Sequence, residues 1–128
     1  MGKVSKASAA NAVLQGPVED HNEDVHGYTI NFLTFSEDID GAALLKGLPG
    51  DQCHCPHWGY VLKGTFGFRF EDREESYGPG DAFYAPPGHV PTAAADTELV
   101  MFSPADALKA TDEAITRNLE AMGHPATQ

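Results

Sequence analysis

The sequence predicts an all-β barrel or sandwich followed by one C-terminal helix, and three observations carry that expectation. Short runs in which apolar and polar residues alternate recur through the middle of the chain, the period of strands with one buried face. Turn-forming stretches separate them, among them Pro49-Gly50, Gly78-Pro79-Gly80 and Pro86-Pro87-Gly88, where glycine and proline set backbone angles that strands do not use. After Ser103 the period changes: Leu108, Thr111, Ile115, Leu119 and Met122 recur at three- and four-residue spacing and Gly123 closes the run, one apolar helix face.

In order, residues 1–26 mix small, polar and acidic side chains without a period and are expected to form an N-terminal arm, loose or with a short edge strand. His21 and His26 lie there among carboxylates, in what reads as an exposed acidic loop. Residues 27–103 are the expected barrel. Tyr28, Ile30 and Phe32 alternate with Thr29 and Asn31 as the first strand, and the apolar run Ala42 to Leu48 is expected to be the second. Strands follow around Cys53 to Cys55, interrupted by Pro56, and from Trp58 to Leu62. Proline has no N–H to give a sheet, so an edge or bulge is expected there. Phe66, Phe68 and Phe70 share one face of the next strand, and further strands cover Ala82 to Ala85, the residues after His89, and Glu98 to Phe102. Residues 104–123 are the helix, with Ser103 as its N-cap and Pro104 at its first position, packed on the barrel or on a partner subunit.

A length of 128 residues suits one domain with one core. The net charge of −11 with only eight Lys and Arg argues against nucleic acid and anionic membranes, whose binding needs clustered cations. The acidic pairs lack the spacing of a calcium loop. No stretch has the apolar length of a signal peptide core or a membrane span, so a cytoplasmic location is expected. No Ser-His-Asp order, glycine-rich phosphate loop or isolated carboxylate pair points to hydrolase or kinase chemistry.

The unusual chemistry is concentrated in residues 52–64, QCHCPHWGYVLKG, which contain both cysteines, two of the six histidines and the sole tryptophan. Cys53, Cys55 and His57 occupy alternate positions, so in extended backbone their side chains leave one face. Residues two apart on a strand are about 6.6 Å from each other with parallel side chains, which strains a disulfide. In a reducing compartment paired thiols point to metal or redox chemistry. The same residues also have a plainer reading, since free cysteine is often a small buried hydrophobe and His57 could be a core histidine bonded to backbone. His54, of opposite parity, is expected to be exposed.

The order of turns and motifs resembles the cupins, small jelly-roll barrels with a double-stranded β-helix. Gly80, the five residues DAFYA and Pro86-Pro87-Gly88 match the second cupin motif, and Val61-Leu62-Lys63-Gly64 matches the end of the first. The resemblance covers about residues 28 to 102 and implies a single cupin barrel, commonly a homodimer. It also implies positions for metal ligands, and these hold other residues here: Asp51 and Cys53 for the two early histidines, His57 for the glutamate and Pro91 for the late histidine. The expected site is therefore an altered one. Cys53, Cys55, His57 and His89 are its candidate ligands, suited to zinc, iron or copper rather than to magnesium or manganese. Tyr60, Phe66, Phe68, Phe70 and Tyr84 are the candidate ligand-binding residues, with Trp58 and Phe83 also able to line a pocket. Two functions follow: a metal-binding barrel acting on a small organic molecule, or a non-catalytic module that holds a small apolar ligand or senses metal or redox state.

Overall fold

The computed structural model describes residues 2–127. Ten antiparallel strands form two facing sheets. The larger has the order β1 (Asn11–Gln15), β2 (Val18–Val25), β3 (Tyr28–Phe35), β10 (Thr97–Pro104), β5 (His57–Lys63), β8 (Ala82–Ala85). The smaller has the order β4 (Ile39–Asp40), β9 (Val90–Ala93), β6 (Phe66–Arg69), β7 (Glu74–Tyr77). Phe66, Phe68, Phe83, Val61, Leu99 and Met101 fill the space between them. Side chains from two sheet faces interdigitate there, the packing of a closed double sheet.

Three expectations change. The N-terminal arm is ordered: β1 and β2 extend the larger sheet, with β2 paired to β3 along its length, from Val18 opposite Phe35 to Val25 opposite Tyr28. Polar side chains hid these strands from a hydrophobic count, yet Asp20 and Asp24 have partners in Asn31 and Thr29 on the neighbouring strand. The run from Ala42 is a 3-10 turn, Gly41–Leu44, rather than a strand. Asp40 caps it by accepting from the Ala42 N–H at 3.0 Å, and Gly41 lies so close to β9 that a Cβ would meet the Pro91 carbonyl at 2.6 Å. The turn sends adjacent Leu44 and Leu45 into the interior together, which a strand's alternation forbids. Around Cys53 to Cys55 there is a single bridge, Cys53 to His89, and the regular strand starts only at His57, after Pro56.

The strand from Tyr28 is present, but over its first residues the polar side chains are the buried ones. Thr29 and Asn31 are buried while Tyr28 is 45% exposed. On β5, His57, Gly59 and Val61 point inward and Trp58, Tyr60 and Leu62 outward. Helix α1 (Ala105–Ala121) follows β10 directly, with Pro104 rather than Ser103 at its N-cap position and no side-chain cap. Ser103 belongs to β10 and is fully buried. Leu108 and Ile115 pack α1 over Leu45, Cys53 and Cys55, so the helix seals one end of the barrel. The chain then returns to the first strand, where Leu14 and Thr127 exchange backbone hydrogen bonds of 2.7 and 2.8 Å.

Candidate metal centre

The site forms where the barrel core meets the layer under α1. Cys53 is fixed by backbone: its N–H donates to the His89 carbonyl at 2.8 Å, and its carbonyl accepts from Gly88 at 2.9 Å and His89 at 3.2 Å. Those bonds bring the loop after Pro87-Gly88 across to the opening cysteine and hold Cys53 and His89 side by side. His57 enters from the first position of β5. One donor atom from each of Cys53, His57 and His89 lies within 4.8 Å of the other two, and all three residues are buried. Phe68 supports both rings, its centroid 6.0 Å from that of His57 and 4.6 Å from that of His89.

Hydrogen bonds orient each group. His89 Nδ1 lies 2.6 Å from the Pro86 carbonyl. A carbonyl only accepts, so Nδ1 carries the proton and Nε2 is left with its lone pair. That Nε2 is buried and has no hydrogen-bond partner. His57 Nδ1 lies 2.7 Å from Ser103 Oγ, and its Nε2 is 3.4 Å from Cys53 Sγ. Thr111 of α1 reaches Cys53 Sγ from the other side, Oγ1 to Sγ 3.3 Å.

Burial governs the protonation states. It drives the His57 pKa down to about 3, with neighbouring His89 adding to the effect, and it lowers His89 against the opposing bond to Pro86. Both imidazoles are neutral at pH 7, the form that ligates metals. Burial also raises the Cys53 thiol, partly offset by Thr111. Cys55 is pushed up to about 12 by burial and then by Cys53.

The donor set fits a divalent transition metal. Donor atoms on a tetrahedral zinc with ordinary bond lengths lie about 3.4 to 3.6 Å apart, and the Sγ to Nε2 distance here is 3.4 Å. One thiol and two imidazoles are soft and borderline ligands, and the unpartnered lone pair of His89 is what a ligand nitrogen needs. Each also has the outer support that metal ligands use, Pro86 behind His89, Ser103 behind His57 and Thr111 beside Cys53.

Of the expected ligands, the structure brings together Cys53, His57 and His89 and leaves Cys55 out. Cys55 is as buried as Cys53, but its Sγ donates to the Pro56 carbonyl at 3.4 Å and packs in the apolar layer under α1. Equal parity placed it inside, and the turn at Pro56 took it off the cluster. His54 is exposed, with Nε2 2.7 Å from the Pro49 carbonyl.

A pocket of about 120 Å³ has the three cluster residues in its wall. Phe66 and Phe68 line it as expected. Phe70 lies beyond the end of β6 and packs behind His89, its ring centre 6.1 Å away, with Arg73 stacked on its other side. Tyr60 and Tyr84 are outside the barrel, 42% and 47% exposed, because the parity that turns His57 inward turns both of them outward. Sequence reasoning missed Ser103, assigned to a helix cap, and Thr111, counted only as part of an apolar stripe. It also missed Asn31, Asp20 and Asp112, which line the same cavity.

No family model and no curated protein sequence matches the chain. Solved structures do match its fold. The polyketide cyclase RemF from Streptomyces resistomycificus superposes with a TM-score of 0.58 at 17% identity, over 82% of this chain and 80% of that one. An RmlC-like cupin from Shewanella frigidimarina gives 0.51 at 18% identity, over 70% and 78%. The chain has the cupin fold. A third similar structure, a Rhizobium leguminosarum protein of unknown function, gives 0.55 at 17% identity, over 80% and 94%. In this cupin barrel the inward positions after the first turn carry Cys53 and His57, and the strand that follows the second motif is preceded by His89.

Proposed function

We propose that this protein is a small metal-binding cupin that holds zinc, iron or copper on Cys53, His57 and His89 and admits a small organic molecule to the adjoining cavity. The single observation that carries the reading is the convergence of three buried donors with one lone pair, His89 Nε2, left unpartnered. An unpartnered buried polar atom costs about 1 to 3 kcal/mol, so a fold that keeps one beside two further ligands is arranged for an occupant. With three protein ligands, a bound metal would retain an open position for Lewis-acid chemistry or oxygen activation.

The chain's own residues prepare the site. Ser103 and the Pro86 carbonyl fix the two imidazoles, Phe68 holds their planes, and the apolar lining of Phe66, Leu33 and Met101 excludes water from the ligand. Thr111 extends the site to α1, so the helix is part of the pocket wall. Two free cysteines, both buried, suit a reducing cytoplasmic setting. Among the described residues no helix is long and apolar enough to cross a membrane.

A homodimer belongs to the same reading. Trp58, Tyr84, Phe102 and Tyr28 sit close together on the outer face of the larger sheet, each at least 39% exposed, with Trp58 5.0 Å from Tyr84 and 6.3 Å from Tyr28 between ring centres. Contiguous exposed aromatics on one sheet face mark an interface.

The test is elemental analysis after anaerobic purification of the parent, His57→Ala and His89→Ala. The parent is expected to carry near one metal per chain and each variant far less. Equal, substoichiometric metal in all three ends the proposal.

A further inference from the structure

Among the described residues, two buried side-chain polar atoms have no hydrogen-bond partner: His89 Nε2 and Asn31 Oδ1. Both residues line the same cavity. The first is accounted for by the metal reading. The second belongs to a wall built from β2, β3 and α1, and no metal-cluster side chain hydrogen-bonds to it.

Asn31 is 4% exposed. Its Nδ2 donates to both oxygens of Asp20, at 3.0 and 3.2 Å. Reversing the amide would set Oδ1 against that carboxylate, oxygen to oxygen, so the orientation is fixed and Oδ1 is the free atom. Asp20 and Asp112 line the cavity beside it, and no Lys or Arg does. Asp20 faces inward from β2, and Asp112 comes down from α1 one residue after Thr111. The wall therefore offers acceptors. The other surfaces are apolar, among them Leu33, Phe35, Phe66 and Met101.

We propose that this wall binds the hydroxyl or N–H donor of a single-ring-sized, uncharged or cationic molecule, with the donor on Asn31 Oδ1 and the Asp20 and Asp112 carboxylates beside it. The size follows from the cavity of about 120 Å³, since a dry cavity of roughly 150 Å³ takes up benzene. The polarity follows from the acceptor surplus: a ligand donor satisfies Oδ1, while an anionic ligand would meet two carboxylates without a compensating cation. This inference names the ligand class for the cavity of the proposed function. It rests on that cavity being a ligand site, and the wall can be tested without the metal.

The experiment is a heteronuclear NMR titration of metal-stripped protein with phenol, toluene and benzoate, comparing the parent with Asn31→Leu and Asp112→Ala. One hydrogen bond to a buried acceptor is expected to make phenol bind about tenfold more tightly than toluene to the parent. Benzoate should bind more weakly than either. Asn31→Leu should abolish the phenol preference while keeping toluene binding, and Asp112→Ala, an easier change on the helix surface, should reduce the preference about threefold. Equal binding of phenol and toluene to the parent would mean that Oδ1 keeps a water, and would overturn the proposal. A phenol preference retained in Asn31→Leu would also overturn it, while leaving the metal reading standing.

Discussion

Cys53 and Cys55 are two residues apart, equally buried, and chemically identical, yet only Cys53 is within the donor cluster. Metal-linked stability separates them. A ligand that binds the folded state alone adds RT ln(1 + [L]/Kd), about 2.7 kcal/mol at a hundredfold excess over Kd. For a chain of 128 residues, each kcal/mol moves the melting temperature by roughly 3 to 4 °C, so zinc should raise it by about 10 °C. Cys53→Ala removes the only anionic ligand and leaves two neutral imidazoles. If the affinity falls a hundredfold, the same zinc concentration gives RT ln 2, about 0.4 kcal/mol, and a shift of only 1 to 2 °C. Cys55→Ala removes a buried sulfur from the apolar layer under α1 and lowers the starting melting temperature, but the zinc-induced increment should remain near 10 °C. The measurement is differential scanning fluorimetry at fixed zinc against EDTA, and the increment is the readout because baseline stability differs between variants. A full increment in Cys53→Ala, or its loss in Cys55→Ala alone, would refute the assignment of ligands.

Three more outcomes follow from the geometry. Ser103→Ala should keep metal stoichiometry but weaken affinity about 10- to 100-fold, the usual effect of removing the partner that orients a ligating histidine, read by competition with a chromophoric chelator. Asp112, its carboxyl held up at about 7 by burial and then by Asp20 and Asp24, should contribute a loss of stability as pH rises, set against the gain from His57 and His89, whose lowered pKa values mean that the unfolded chain holds protons the folded state does not. The raised folded pKa means the folded state keeps a proton that the unfolded chain, near 3.8, has released, so the loss spans about pH 4 to 7 and then levels off. Asp20 shifts in the same direction, and the Cys53 and Cys55 thiols beneath the helix stay protonated throughout that range. Asp112 is exposed and solvent screens it, so across that range Asp112→Asn should gain about 1 kcal/mol relative to the parent in urea denaturation. Trp58→Lys with Tyr84→Lys should convert a homodimer to a monomer by light scattering at micromolar concentration while the far-ultraviolet spectrum is unchanged; a parent that is already monomeric refutes the interface.

The fold was readable because its signals are local. Gly80 and Pro86-Pro87-Gly88 need particular backbone angles wherever they occur, and Gly80 does take a φ of +90°. Alternation located most of the strands, but it did not say which half of each strand is buried. At the start of β3 and on β5, Tyr28, Trp58 and Tyr60 face out and Asn31 and His57 face in, while Phe35 and Val61 on the same strands are buried. A rule that buries the larger apolar residues misplaces Tyr28, Trp58 and Tyr60.

That inversion has one physical source in both cases. An inward polar side chain is tolerated only when it is paired or meant to be. Asn31 is half paired, through Asp20 on the neighbouring strand β2, and His57 is paired through Ser103 at the end of β10, far off in sequence. Cys53, Cys55 and His57 could be recognised because their parity is local, whereas Ser103, Thr111, Asp20 and Asp112 reach the cavity only after β2, β10 and α1 have closed around it. The residues that the sequence conceals are thus the ones that tune the donors it displays, and the cavity owes its two unpartnered atoms to that division: His89 Nε2 from the displayed set, Asn31 Oδ1 from the concealed one.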